Sequence, residues 1–358
     1  MQTRNRILAV GVVVVLVLGL AVVGGKHVWD RMHRSDLDAA IGVVPRQTQR
    51  LSFTDWEQVR EKVGVPTTAS PTAAEVEKLT NRGYDTDLTA VSSIDESTAA
   101  LQDNFGFSPT TMAWEAYAQS KAGATMIARM PDGFDFDKVR HHLEDLGFTE
   151  PSAQDGVWLG GTDLVANIDP TITPELQYVA VLADQHLIVT SDTEDYAKAA
   201  AGVAKGDADS LGDVSSVEDL ADRVGSPAAA MLWPRDFACS DLAMSSADQD
   251  SQDQAETLIA DAGKTSPLNG LAMALEPDRK FRVVLHFESS GQAKENLAAR
   301  AKLAVGDAIG RGGSFADDLK LTSSRTEGSS VVLGFTPKQR TGFVLSALDS
   351  GPVIFASC

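Results

Sequence analysis

The chain has 358 residues, 43% of them apolar, and a formal net charge of −19. That apolar share is enough for a real core and excludes a disordered chain, and the length suits two globular units or one large one. Arg4, Arg6, Lys26, Arg31 and Arg34 against Asp30 leave residues 1–34 at +4, so the remainder carries −23; such a body repels phosphate backbones and anionic headgroups, which argues against nucleic-acid partners.

Residues 7–25, ILAVGVVVVLVLGLAVVGG, are uncharged. As a helix they reach about 28 Å, close to the hydrocarbon thickness of a bilayer. A cleaved signal peptide, with Val23 and Gly25 at −3 and −1, competes with an uncleaved signal anchor. The run exceeds the usual signal-peptide core of about 7–15 residues, and Val fits poorly beside a cleavage site, which favours the anchor. Basic residues flank both ends, so their count does not set orientation. The basic N-terminus places residues 1–6 in the cytoplasm, residues 7–25 in the bilayer and the body outside, with 26–48 as a juxtamembrane linker.

RLSFTDWEQVREKVG predicts a short strand with Leu51 and Phe53 on one face, then a helix with Thr54 and Glu57 at capping-box spacing and Gly64 as stop. In VPTTASPTAAEVEKLTNRG, Ser70 reads as N-cap, Pro71 as a first-turn proline and Gly83 as the end. IDESTAALQDNFGFSP predicts a third helix. A hairpin-then-helix unit then recurs four times. Its hairpins turn at Ser120 to Gly123, at Asp184 and Gln185, at Pro277 and Asp278, and near Glu327 and Gly328. Its helices are FDFDKVRHHLEDLG, with Asp135 as N-cap and Gly147 as stop, then Thr193 to about Ala204, GQAKENLAARAKLAVGDAI and KQRTGFVLSALDSG. GVWLGG adds a short strand, and AAAMLWP opens the second half. In FRVVLHFE, Phe281, Val283, Leu285 and Phe287 face one way and Arg282, Val284, His286 and Glu288 the other. The expected fold is α+β: antiparallel sheets of ββα units in two lobes, 49–225 and 226–358, each with helices on one side, and DVSSVEDLADRVG at the junction.

Cys239 and Cys358 match no metal or redox spacing. In an exported domain they most simply form one disulfide; in a cytoplasmic body they would stay two thiols. A cysteine at the last residue would pin an end that otherwise frays.

No residue set qualifies as catalytic, metal-ligating or cofactor-binding. Asp132, Asp135 and Asp137 lack the calcium-loop pattern and read as strand end, turn and N-cap. Asp248, Asp250 and Asp253 fail it at Gln252 and Asp253, and suit the first turn of a helix. His27 and His33 are juxtamembrane. His141 and His142 diverge by about 100° on a helix and cannot share a metal. His186 sits by a turn. His286 with Glu288 is the one constellation worth naming for a nucleophile, and a solvated strand face accounts for it. GRGGS at 310–314 lacks the Lys-Ser/Thr of a phosphate loop. Trp56, Trp114, Trp158 and Trp233 read as core; an exposed aromatic groove would instead indicate a sugar or lipid ligand.

RLSFTDWEQVR, FGFSPTTMAWEA and MPDGFDFDKVRHHLEDLGF resemble stretches of uncharacterised actinobacterial membrane-anchored or exported proteins, across much of 49–240 and including DQHLIVTS. The resemblance implies an exported, double-lobed α+β body and brings no activity and no functional residues. Three roles are expected, in falling order: a non-enzymatic envelope module binding another protein or a wall component; a lipid or glycan carrier or sensor with a pocket between lobes; and a hydrolase. Fold alone decides none of them.

Overall fold

The computed structural model describes residues 35–358 apart from 243, 245 and 246. The expected span at 7–25 lies outside the described residues, and no helix among those described is long and apolar enough to cross a membrane. Part of the expected linker is folded: Ser35 caps helix α1 (Asp36–Ile41), whose Leu37, Ala40 and Ile41 are buried.

One antiparallel sheet of eleven strands replaces the two expected. The first half contributes β1 (Arg50–Asp55), the hairpin β2 (Trp114–Ser120) and β3 (Gly123–Arg129), the short β4 (Val157–Leu159), and the hairpin β5 (Tyr178–Leu182) and β6 (Leu187–Ser191). The second half contributes β7 (Ala229–Pro234), β8 (Gly270–Leu275), β9 (Phe281–His286), β10 (Leu319–Glu327) and β11 (Ser330–Pro337). β1 joins them, pairing Phe53 with Ala116 of β2 on one side and with Ala230 of β7 on the other. Outward from that junction the order is β1-β2-β3-β6-β5-β4 one way and β7-β8-β9-β11-β10 the other. Apart from β4, equivalent strands occupy equivalent places, as an approximate two-fold axis between antiparallel β1 and β7 would generate.

Helices cover both faces, not one. Leu51, Phe53, Ala230, Leu232, Val284 and Val332 pack with α1, with α7 (Glu194–Lys205) and with α8 (Ser215–Val224). Met126, Met231, Trp233, Met273, Val283 and Leu285 pack on the opposite face. There they meet α2 (Trp56–Val63), α4 (Thr98–Phe105), α5 (Phe136–Leu146) and α11 (Ser290–Leu303). The alternate face of β9 is therefore interior as well: Val284 and His286 are buried. All four tryptophans singled out above are buried.

Local chemistry moves several helix ends. Asp55, not Thr54, caps α2, accepting from Gln58 N at 2.9 Å and from Gln58 Nε2 at 2.6 Å. Thr72, not Ser70, caps α3 (Ala73–Asp85), because Glu75 three residues on completes a reciprocal box. α3 continues through Gly83, where a Cβ would come 2.4 Å from Thr89 Cγ2, so this glycine permits a close approach rather than ending the helix. α11 stops at Leu303.

The fourth hairpin is not followed by a helix. Residues 338–353 form a strap that packs Val344, Leu345, Leu348 and Val353 into the core. Gly342 has φ +105°, and the amides of 344–346 turn to the carboxylate of Asp87 instead of to their own carbonyls. The chain end is fixed beyond it. Buried Arg300 donates to the carbonyls of Phe355 at 2.9 Å, Ser357 at 2.5 Å and Ser266 at 2.7 Å, and its burial lowers its pKa to about 10. Cys239 and Cys358 are disulfide-bonded across 119 residues, with Cα atoms 5.6 Å apart.

Loop-closure entropy gives that bond about 4–5 kcal/mol. The Cys239→Ser/Cys358→Ser double variant should lose stability of this order in urea titrations, and dithiothreitol should bring the wild type to the same midpoint.

Candidate functional site

Tyr84 and Phe343 are the only large apolar side chains that stand exposed among the described residues, at 59% and 52%. They come from positions 259 residues apart and meet edge to face, with ring centroids 5.2 Å apart. Between and beneath them opens a cleft of about 390 Å³, lined by Asp87, Thr89, Ser92, Ser93, Asp95 and Glu96 on one side and by Thr171, Thr173 and Ser346 on others.

Its geometry grows out of the end of α3. Asp87 follows the helix with φ +62°, a left-handed conformation that Asp tolerates better than most residues. Its N–H donates to the Tyr84 carbonyl, and Leu88 N–H donates to that of Gly83. The turn buries the Asp87 carboxylate, 1% exposed, where it receives Val344 N–H at 2.7 Å, Leu345 N–H at 2.6 Å, Ser346 N–H at 3.3 Å and Ser346 Oγ at 2.5 Å. Arg279 secures the same strap, donating to the carbonyls of Gln339 and Gly342.

A second buried acid builds the floor. Glu115 of β2 is 1% exposed and has no basic partner in ion-pair range among the described residues, yet it accepts four hydrogen bonds: from Trp56 Nε1 at 3.1 Å, Ser92 Oγ at 2.7 Å, Ser93 N–H at 2.7 Å and Ser93 Oγ at 2.8 Å. Burial raises its pKa, and the four donors oppose the rise. The loop 92–97 is thus fixed from below. Asp95 accepts from Glu96 N–H at 2.9 Å; burial raises its pKa too, with that bond and Thr89 pulling the other way. Ser97 Oγ donates to the Thr171 carbonyl, which ties in the third wall.

Other cavities are less defined. A wider groove of about 1080 Å³ lies at the other end of β1, with Arg46, Lys121, Arg235 and Asp236 among its lining. Arg235 there donates to the Arg46 carbonyl and Arg46 to that of Asp213. A smaller apolar pocket of about 270 Å³ lies behind Phe343, against Phe315 and Leu348.

Of the residues flagged in the sequence, Asp135 caps α5, Asp137 pairs with Arg140 at 2.6 Å, and exposed Asp132 lies 3.6 Å from His186. Asp248 caps α10 (Gln249–Ala262), where Asp253 accepts from Gln249. His141 Nδ1 meets the Asp137 carbonyl. Among the described residues no group of three or more such side chains could hold a metal ion. The 310–314 loop leads into a short helix capped by Ser314.

His286 has different company from that expected. Glu288 is exposed and accepts from Gln292. Instead Ser330 Oγ lies 3.0 Å and Asp219 Oδ2 3.5 Å from His286 Nδ1. The residue types of a nucleophile relay are together, but both partners meet one ring nitrogen. A relay needs serine on one nitrogen and carboxylate on the other. Ser330 is fully buried, and burial lowers the His286 pKa against the pull of Asp219.

No family model and no curated protein matches the chain. Among solved structures, two crystal forms of TP0453 align with it. Form I has a TM-score of 0.36 at 8% identity, over 87% of this chain and 96% of that one. Form III has 0.39 at 9%, over 86% and 96%. A likeness of that size supports no statement about function.

Two outcomes follow from these geometries. A fluorophosphonate probe should leave Ser330 unlabelled in the folded protein, as read by mass spectrometry; labelling lost in His286→Ala would restore a nucleophile. Burial raises Asp55 from 3.8 to about 6, so the native state holds this proton more tightly than the unfolded chain. Its stabilising effect is complete below pH 3.8 and is lost as pH rises through 6. Asp55→Asn keeps a cap and should therefore gain on the wild type by ~2 kcal/mol between pH 4 and pH 7 in urea titrations.

Proposed function

We propose that the chain is a membrane-anchored, extracytoplasmic envelope protein without catalytic activity, which binds a partner or wall component at the cleft between Tyr84 and Phe343. One observation carries the reading: the two large apolar side chains left exposed among the described residues stand together at the mouth of a built cleft. Isolated exposed apolar groups are ordinary, whereas a paired set beside fixed polar groups marks a recognition surface. The uncharged apolar run at 7–25, read as an anchor, supports the placement, as does the disulfide, which persists in oxidising compartments. The resemblance to exported actinobacterial proteins points the same way. The buried serine and shared nitrogen at His286 weigh against hydrolysis. Cavities that are polar or small weigh against a lipid carrier.

A photo-crosslinking amino acid at position 84 or 343, in intact cells, should give one adduct of common mass that is missing when the same group is placed at exposed Arg325. Equal adducts at all three positions, or none at 84 and 343, would remove the cleft as a binding site. Protease added to wall-stripped cells should digest the body without lysis; protection until lysis would overturn its placement.

A further inference from the structure

Hydrogen-bond direction narrows the ligand's chemistry, given the binding role proposed for the cleft. Five lining hydroxyls already donate to other groups of the protein: Ser92 and Ser93 to Glu115, Ser97 to the Thr171 carbonyl, Thr171 to Asp169 and Ser346 to Asp87. A hydroxyl has one hydrogen, so each of these can only accept from a ligand. Thr89, 2% exposed, stands in the wall beside Asp95 with no well-formed hydrogen bond to its Oγ1. Tyr84, Thr89 and Thr173 are the lining hydroxyls without a hydrogen-bond partner among the described residues, and the oxygens of the two threonines are buried.

The charges agree with the lone pairs. Asp95 and Glu96 line the cleft, and among the described residues no Lys, Arg or His does. An anionic ligand meets no counter-charge there. Nor does the site suit a bare metal ion: Asp87 is saturated by four donors, and no metal-competent group occurs among the described residues. What remains is a compact group with several N–H donors and a positive charge, joined to an apolar stem that the rings can cover. An ammonium near an aromatic face gains from its quadrupole, and an aliphatic stem gains from leaving water.

We infer that the cleft binds a primary ammonium group on an extended aliphatic chain, with the ammonium between Asp95 and Glu96 and the chain against Tyr84 and Phe343. Free polyamines carry this group, as do lysine-type side chains of peptides.

Calorimetric titration of the full, disulfide-intact chain tests this with four probes: spermidine, an acetylated and amidated Gly-Lys-Gly peptide, chitotriose and inorganic phosphate. At least one amine should bind saturably. Affinity should fall about tenfold or more in Asp95→Asn/Glu96→Gln and about threefold in Tyr84→Ala, and stay unchanged in Asp250→Asn, an exposed acid on α10. Glu96→Gln alone changes an exposed side chain and should show part of the loss in a fully folded protein. Tighter binding of spermidine identifies a free polyamine as the source, and tighter binding of the peptide a lysine-type side chain. The inference is overturned if neither amine binds saturably or if the double variant binds like the wild type. Tyr84-dependent binding of chitotriose would overturn the amine and leave the cleft as a binding site, whereas absent crosslinks from 84 and 343 would remove the site itself.

Discussion

The Asp87 carboxylate organises the region that makes this molecule more than a filled core. Three consecutive amides and one hydroxyl of the strap converge on it away from water. Charge-assisted bonds of this kind are stronger than neutral ones, and each amide left bare at such a depth costs about 1–3 kcal/mol. Bonds to the carboxylate set the path of residues 343–346, and that path puts Phe343 against Tyr84. Without it the strap has no reason to leave helical geometry, and the cleft has no second wall.

Glu115 performs the corresponding task on the other side, anchoring 92–93 through four donors. Neither acid neutralises a cation in contact with it; both organise loops by accepting hydrogen bonds. Burying a carboxylate costs desolvation, and the return here is positional: two loops held within hydrogen-bond tolerance of each other.

The hairpins were legible in the sequence because period-two alternation and turn residues are local signals. The units around Ser120, Asp184, Pro277 and Glu327 all stand as hairpins. The single continuous sheet was not legible, since the β1–β7 pairing joins Phe53 to Ala230 and no local pattern records a partner that distant. Burial on both faces was hidden by His286, a polar side chain on a strand face that α8 nevertheless covers. The strap misled more directly: KQRTGFVLSALDSG has helix-forming composition, and Asp87, some 250 residues earlier, overrides it. For the same reason the cleft escaped notice. Its signals were an aromatic on the solvent side of an amphipathic helix, Tyr84, and an acid on an inward strand face, Glu115. Each is unremarkable until the other segments are brought beside it.

The paired strand order of the two halves bears on how such a cleft changes over time. Each half holds its own hairpins, yet Tyr84 belongs to one and Phe343 to the other. Drift at either ring alters a surface the other half must match. Chains descended from a common ancestor should therefore show linked substitutions between 84–97 and 343–346, while each half's interior varies on its own schedule. The seam is a shared inheritance, and its two contributors are bound to evolve in step.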